Sequence, residues 1–307
     1  MLSSAGLRAL APTIGLIYGF QAACASIAVP LKTEKYYDLC GSMGFLSAVG
    51  FSLYWPSLRS KFIVGTAGAT IPAITAFHPR QLVMSGITAL WAGRLGTFLF
   101  QRIQKHGGDS RFDDIKPSPV KFFGAWMMQA TWIAITALPV WLINTTPRTL
   151  QPKFGPLDFL GLSVWVLGWG LEVVADRQKT LWREAKSQGK HDEQFIGSGV
   201  WAWSRHPNYF GEVSSWVGQY ILSLSALSAA SGPMGATSLT ASSPWFPRYI
   251  VFAAAASPLL EYALIRYISG VPMLEQSIEK KLGDDPKWKQ YKKETPVFIP
   301  FIGGSKA

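Results

Sequence analysis

A short polar and aromatic segment that precedes an apolar run carries the residues best suited to chemistry. Its candidate residues are Trp201, Arg205, His206, Asn208, Tyr209 and Glu212. Pro207 suits the first position of a helix, where the missing N–H costs nothing. Arg205 and the free N–H groups of that helix would together form an anion-binding site. We therefore expect residues 204–212 to bind a ligand that carries negative charge.

Glu212 lies near the start of a predicted membrane span, where an unpaired carboxylate is costly. It therefore needs a partner, and Arg205 or a ligand hydroxyl would serve. The alternative interpretation is anchoring at the membrane surface, with Trp201, Trp203 and Tyr209 as an aromatic belt and Arg205 extended towards the headgroups. The density of polar groups in so short a segment favours a ligand site.

Two further segments add candidate polar groups on the same predicted side of the membrane. Glu172 and Asp176 are four residues apart and share one helix face, and Lys179 follows them closely. They form either a solvated helix end or part of the rim of a ligand site. In the C-terminal tail, Trp288 and Tyr291 are three residues apart on a charged helix. They either fold over a bound cofactor or belong to an amphipathic helix on the membrane surface.

The composition indicates that membrane-spanning helices position these segments. Of the 307 residues, 49% are hydrophobic and 15% are charged, and the mean hydropathy is +0.18. A soluble domain usually carries about 25% charged residues. Disorder is excluded because it requires low hydrophobicity, and a disulfide scaffold because Cys24 and Cys40 lie in or beside apolar segments. The net charge of +11 is spread over short loops, which argues against nucleic-acid binding.

We predict an all-α fold, a polytopic bundle of about eight transmembrane helices, with seven or nine as the alternatives. The predicted spans are residues 9–31, 39–58, 62–79, 81–101, 122–147, 156–175, 213–227 and 245–268. With eight spans, 22 Lys and Arg lie on the side of both termini and 6 on the other side, and Arg94 lies within a span. The positive-inside rule then predicts that both termini are cytosolic. Gly161, Gly168 and Gly170 are predicted helix-packing positions.

The motif Ser-Arg-His-Pro-Asn-Tyr-Phe-Gly-Glu at residues 204–212, with Gly-Val-Trp shortly before it, resembles the signature of an integral membrane family related to the steroid 5-alpha reductases. The tail supports the resemblance with Ser-Gly-Val-Pro-Met-Leu-Glu at 269–275 and Thr-Pro-Val-Phe-Ile-Pro at 295–300. The resemblance covers roughly residues 91–300.

The resemblance implies a catalytic transmembrane domain at residues 81–307 with cytosolic cofactor-binding loops. Hydrophobicity alone predicts N-terminal transmembrane helices at residues 1–80. The resemblance leaves two cofactors open, because one branch of the superfamily comprises NADPH-dependent lipid reductases and the other comprises S-adenosylmethionine-dependent methyltransferases. The pair Asn208–Tyr209 resembles the reductase branch, and loops rich in Lys and Arg suit a ligand with several phosphates. By the resemblance, the cofactor contacts are Asp176, Lys179, Trp201, Arg205, His206, Asn208, Tyr209 and Tyr291.

The reaction expected on the reductase branch is hydride transfer from NADPH to a carbon–carbon double bond conjugated to a carbonyl, in a steroid or another lipid. Tyr209 and Glu212 are the catalytic candidates, and Tyr220 and Glu261 could also polarise the carbonyl. A methyltransferase of a lipid or isoprenylated substrate and a non-catalytic sterol-binding protein are the alternatives. We expect membrane lipids and a small lipophilic substrate as partners, no metal site, and the endoplasmic reticulum membrane as the location in a eukaryotic host.

Overall fold

The computed structural model describes residues 4–106, 108–231 and 245–303. Within these ranges the chain forms α-helices and short 3-10 and π-helical turns, and no β-strand. The α-helices are α1 Ala5–Ala28, α2 Tyr37–Leu58, α3 Pro79–His106, α4 Pro119–Thr136, α5 Leu138–Thr145, α6 Pro156–Ser187, α7 Pro207–Ala230, α8 Ile250–Ala254, α9 Ala256–Ala263, α10 Val271–Leu282 and α11 Pro286–Glu294. The predicted all-α fold class is therefore confirmed.

Four helical stretches of the described chain are long and apolar enough to cross a membrane. They are α1, residues Pro79–Gln104 of α3, α6, and the run Ile250–Leu282, which includes α8 to α10. The pair α4 and α5 gives a fifth stretch, bent by 59° at the break between them. These helices are compatible with a multi-pass membrane protein, as the composition predicts. The helices α2 and α7 have lengths similar to that of α1, but each contains more Ser and Tyr than α1 does.

The third predicted span, residues 62–79, is not a helix, and this prediction was wrong. A π-helical turn, Arg59–Val64, ends at Gly65 with a φ of 67°, and Gly68 has a φ of 77°. Glycine favours these left-handed conformations, and Pro72 further along lacks the N–H that a helix would need. The stretch is apolar, but its backbone cannot continue as one helix.

The segment between α2 and α3 does not cross the first helices of the chain. It ends at the same end of these helices at which it begins, beside the last turn of α2 and the end of α5. In the first turn of α3, Gln81 donates from Nε2 to the carbonyl oxygen of Asn144 in α5, at 3.1 Å. Arg148, just after α5, donates from Nη1 to the carbonyl oxygen of Ala76 at 2.7 Å. Leu53, near the end of α2, lines the same cavity as these residues. The described residues therefore contain seven long helical segments, where about eight were predicted with seven or nine as the alternatives.

The chain forms two compact units. One comprises Met1–Asp158 and Tyr220–Ser257, and the other comprises Phe159–Gln219 and Pro258–Ala307. Every residue proposed above for cofactor contact, and both catalytic candidates, belong to the second unit. The functional division at residue 80 stays a prediction.

Within the second unit, glycines allow α6 and α7 to approach each other closely. A Cβ atom on Gly168 would lie 2.7 Å from the carbonyl oxygen of Gly211, and one on Gly218 would lie 2.6 Å from that of Gly161. Around Gly170, a Cβ atom would meet nothing within 4 Å. The packing prediction is therefore confirmed for Gly168 and was wrong for Gly170, and at Gly161 the structure shows only its carbonyl oxygen close to Gly218.

Candidate cofactor-binding site

The segment before α7 is held in place by the C-terminal tail. Pro207 is the first residue of α7, as predicted. Just before it, the buried Ser204 hydroxyl donates to the carbonyl oxygen of Phe298 at 2.8 Å and accepts from the backbone N–H of His206 at 3.1 Å. The backbone N–H of Arg205 donates to the carbonyl oxygen of Pro296 at 2.8 Å. Arg205 and His206 therefore have fixed backbone positions.

Arg205 and His206 share one carboxylate, which belongs to Glu275 of α10. Arg205 binds it through two bonds, from Nε to Oε1 at 3.2 Å and from Nη2 to Oε2 at 2.9 Å. His206 reaches the same Oε1 from Nε2 at 2.8 Å. The third Arg205 nitrogen, Nη1, donates to the carbonyl oxygens of Lys292 at 2.9 Å and Thr295 at 3.4 Å. Arg205 therefore connects the start of α7 to both α10 and the tail.

The sequence reasoning missed Glu275 as a site residue, although the tail motif that carried the resemblance ends on it. It expected Arg205 or a ligand hydroxyl to pair with Glu212, whereas the carboxylate that Arg205 binds is that of Glu275. The interpretation of Arg205 as a snorkelling anchor is also wrong, because its side chain is only 13% exposed and is bound to the tail.

Burial favours the neutral form of His206. The residue is 3% exposed, and burial lowers its pKa, although the carboxylate of Glu275 acts in the opposite direction. The neutral ring can donate to Glu275 only if it carries its proton on Nε2. The ring also stacks on Tyr209, with centroids 5.8 Å apart and planes 13° apart.

Aromatic residues surround the space next to this carboxylate. The buried Trp201 donates from Nε1 to the carbonyl oxygen of Ala175 at 3.1 Å, and its own carbonyl oxygen accepts from the Tyr291 hydroxyl at 2.6 Å. Phe195 packs against Tyr291, with ring centroids 5.0 Å apart. The ammonium of Lys179 lies 4.6 Å from the centre of the Trp201 ring. Tyr291 thus folds back onto the segment before α7, and its contact with a cofactor stays a prediction.

These residues line a cavity of about 300 Å³ in the second unit. Its charged and aromatic walls are formed by Lys179, Arg183, Arg205, His206, Glu275 and Lys281, with Trp182, Phe195, Trp201, Trp288 and Tyr291. Glu275 is the one acidic residue among the described lining residues, and it is already engaged by Arg205 and His206. The remaining three cations give the cavity a positive potential.

The structure brings five of the eight predicted cofactor contacts to this cavity: Lys179, Trp201, Arg205, His206 and Tyr291. The other predicted residues lie outside its walls. Asn208 donates from Nδ2 to Asp176 Oδ1 at 3.2 Å and so links the start of α7 to α6. Tyr209 packs on an apolar cluster that contains Val271 and Phe298. Glu212 is half-buried on the second turn of α7. The catalytic roles of Tyr209 and Glu212 stay predictions.

Residues 53–246 and 246–295 of the chain match the DUF1295 family, which is described as a protein of unknown function. An uncharacterized protein of Schizosaccharomyces pombe is 23% identical over 167 residues, which are 46% of this chain and 48% of that protein. The chain therefore matches about half the length of this curated relative. No solved structure matches the chain.

Proposed function

We propose that this chain, which belongs to the DUF1295 family, is an integral membrane oxidoreductase that binds NADPH in the cavity between α6, α10 and α11. Its substrate would be a steroid or another lipid with a carbon–carbon double bond conjugated to a carbonyl. The observation that carries the proposal is the composition of the cavity walls, where Lys179, Arg183 and Lys281 stand beside aromatic rings.

The charge of the cavity suits a ligand with several phosphates. Because Glu275 is engaged by Arg205 and His206, the cations Lys179, Arg183 and Lys281 are not balanced by another carboxylate among the described lining residues. NADPH carries a diphosphate and a 2′-phosphate, whereas S-adenosylmethionine carries one carboxylate and a cationic sulfonium. Basic side chains bind phosphate strongly through charge-assisted hydrogen bonds. The sulfonium would be repelled by the same cations.

The aromatic walls suit the adenine ring. Trp201, Trp288 and Tyr291 line the cavity, and stacking of a base on an aromatic side chain contributes about 1–3 kcal/mol. A volume of about 300 Å³ lies at the lower end of the usual range for ligand pockets, roughly 300–1,000 Å³, and therefore suits the adenosine half of a dinucleotide. The nicotinamide half would extend from the cavity towards the apolar helices.

The residues of the chain would bind and orient the cofactor, and NADPH supplies a hydride when it is bound. His206, neutral and held by Glu275, fixes the wall nearest to α7. Tyr209 is stacked on His206, which lines the cavity, and its hydroxyl would polarise the substrate carbonyl. The apolar helices would exclude water from the substrate.

Thermal stabilisation of the detergent-purified protein tests the proposal. A ligand that binds only the folded state at a hundredfold excess over its Kd stabilises that state by about 2.7 kcal/mol. We expect NADPH to raise the unfolding midpoint more than NADH, and S-adenosylmethionine to have little effect. A shift with S-adenosylmethionine alone would move the protein to the methyltransferases. No shift with any of the three would favour a non-catalytic sterol-binding protein.

A pair of neighbouring lysines provides a matched control. Lys281 lines the cavity, whereas Lys280 is exposed on the same helix and is not among the lining residues. We expect Lys281→Gln to weaken NADPH binding and Lys280→Gln to leave it unchanged. Equal effects of the two substitutions would place the nucleotide elsewhere.

A further inference from the structure

Four large apolar side chains lie on the surface of the second unit, near the C-terminal end of the described residues. Trp203 and Ile299 are each 43% exposed, and Phe301 and Ile302 are 68% and 67% exposed. The Trp203 and Phe301 rings pack on each other, with centroids 5.4 Å apart. None of the four residues lines the candidate cofactor site. We call these four residues the tail patch.

Backbone hydrogen bonds hold the tail patch in place, so its exposure does not come from a frayed chain end. The backbone N–H of Phe301 donates to the carbonyl oxygen of Trp203 at 3.1 Å. A few residues earlier, the carbonyl oxygen of Pro296 accepts from the backbone N–H of Arg205 at 2.8 Å. These two bonds fix the tail along the segment before α7, and the apolar side chains are therefore presented by an ordered surface.

Phe301 adopts a backbone conformation that bulky residues rarely take. Its φ is 65°, in the left-handed region that glycine favours. This conformation costs free energy, and it places a large ring where most of its surface is exposed. Packing inside the unit does not offset the cost, because the ring is not buried there. An apolar phase outside the protein would offset it.

The tail patch lies next to a helical run that is apolar enough to face lipid. Phe298, which precedes Ile299, packs its ring on Tyr262 of α9, with centroids 5.4 Å apart. Tyr262 contacts Tyr267, with centroids 5.6 Å apart, and Tyr267 is exposed. Both tyrosines belong to the run Ile250–Leu282, which is long and apolar enough to cross a membrane. The apolar surface that faces the bilayer there would therefore continue onto the tail patch.

The helix before the tail patch carries the charge expected beside lipid headgroups. The sequence of α11 contains four lysines and one glutamate. Lysines near a membrane surface are attracted to anionic headgroups, tryptophan favours the headgroup level, and aliphatic side chains favour the acyl boundary beneath it. A bilayer would use both the apolar side chains and the neighbouring lysines, and it is therefore the partner that fits this surface.

We propose that the tail patch is an interfacial anchor, in which Trp203 lies among the lipid headgroups and the other three side chains insert at the acyl boundary. Because the tail also holds the backbone of Arg205, the bilayer would help to keep the segment before α7 in position. The proposal requires the membrane location that the apolar helices indicate. It does not depend on the proposed reaction or its cofactor.

Quenching of a fluorophore attached to the tail patch tests the proposal. The two natural cysteines, Cys24 and Cys40, would be replaced by Ala, and Ile302→Cys would carry an environment-sensitive label. Asp284→Cys is the matched control, because the Asp284 side chain is fully exposed between α10 and α11. The full chain would be placed in nanodiscs of phosphatidylcholine and phosphatidylglycerol, which leave both membrane faces open to solvent. We expect lipids with an acyl-chain quencher to quench the Ile302→Cys label several-fold more than the Asp284→Cys label, and aqueous iodide to show the opposite order.

Two substitutions of Phe301 separate insertion from folding. Asn tolerates a left-handed backbone better than Phe does, so Phe301→Asn keeps the turn and removes the apolar ring, whereas Phe301→Leu keeps an apolar side chain. We expect Phe301→Asn, but not Phe301→Leu, to raise iodide quenching of the Ile302→Cys label several-fold. Equal quenching of the Ile302→Cys and Asp284→Cys labels, or equal effects of the two Phe301 substitutions, would overturn the proposal. Protection of the Ile302→Cys label from both quenchers would show contact with protein, such as a second copy of the chain, and would overturn the assignment to the bilayer.

Discussion

Replacement of Glu275 by Gln is expected to destabilise the second unit and release the wall of the candidate cofactor site. Glu275 accepts two hydrogen bonds from Arg205 and one from His206. Gln keeps one oxygen, which at the position of Oε1 can still accept from His206 and from Arg205 Nε. Its amide nitrogen is a donor, and it would face the guanidinium of Arg205, which has only donors. Arg205 would therefore keep its positive charge at a largely buried position and lose its carboxylate.

The size of the effect follows from the burial of the pair. The side chains of Arg205 and Glu275 are 13% and 21% exposed, so solvent screens them only in part. A hydrogen bond to a charged group contributes about 1.5–3 kcal/mol, and loss of one partner of a buried ion pair costs about 3–5 kcal/mol. The bond from Arg205 Nη2 is lost and Arg205 keeps no carboxylate partner, and we therefore expect Glu275→Gln to lower the free energy of unfolding by about 2–4 kcal/mol.

Chemical unfolding of the purified protein, followed by tryptophan fluorescence, measures this loss. Glu279→Gln is the matched control, because Glu279 lies one turn further along α10 and forms an exposed ion pair with Lys292 at 2.6 Å. Exposed ion pairs contribute little, so the control should lose far less stability. Equal losses in the two variants, or no loss in Glu275→Gln, would refute the conclusion that Glu275 connects α7 to the tail.

Three further predictions address packing, protonation and topology. Gly168→Ala should destabilise the protein strongly, since its Cβ would meet the Gly211 backbone at 2.7 Å, while Gly170→Ala should leave the unfolding midpoint unchanged or slightly raised. Burial lowers the pKa of His206 in the folded protein. The neutral His206 therefore contributes to stability above the unfolded pKa of about 6.5, and this contribution is lost as pH falls below that value. The unfolding midpoint of wild type should therefore fall more between pH 7 and pH 5 than the unfolding midpoint of His206→Asn. If the seven helical segments each cross the membrane, 21 Lys and Arg lie on the side of the C-terminal tail and 7 on the other side, and Arg94 within α3 completes the 29. We therefore expect protease added to sealed vesicles of one orientation to digest one terminal tag and leave the other intact. The same result for both tags would restore the eight-span count.

Hydropathy predicted where the helices lie better than where they break. Seven of the eight predicted spans coincide with helical segments of the structure. The uncharged window at 122–147 is two helices, α4 and α5, bent by 59° just before Pro139. The failed window at 62–79 contains Gly65 and Gly68 with positive φ. A count of apolar residues indicates whether a segment favours transfer into lipid. Whether the segment forms one continuous helix depends on its backbone conformation, which such a count does not describe.

The tail could be assigned a role from its composition, but its contacts could not. Tyr291 was a cofactor candidate from sequence, and the structure places it in the cavity wall with its hydroxyl on the carbonyl oxygen of Trp201. Glu275 lies 70 residues from Arg205 along the chain. In the sequence, Glu275 lies on a short charged helix, where a carboxylate is expected to face solvent. Nothing in this pattern indicates that Arg205 is its partner. The available signal was the tail motif itself, in which Glu275 follows Pro272 at the start of a helix.

The candidate residues around Pro207 contact different elements of the structure, and the geometry of the α-helix explains why. Six candidate residues within twelve positions appear as one site in the sequence, but successive residues of an α-helix point about 100° apart, given 3.6 residues per turn. Arg205 and His206 precede the helix and reach α10, whereas Asn208 turns to Asp176 of α6 and Tyr209 turns to the apolar cluster. The polar residues at the start of α7 therefore contact several neighbouring elements. Only the part before the helix lines the cavity, and the part on its first turns holds α7 against α6 and the tail.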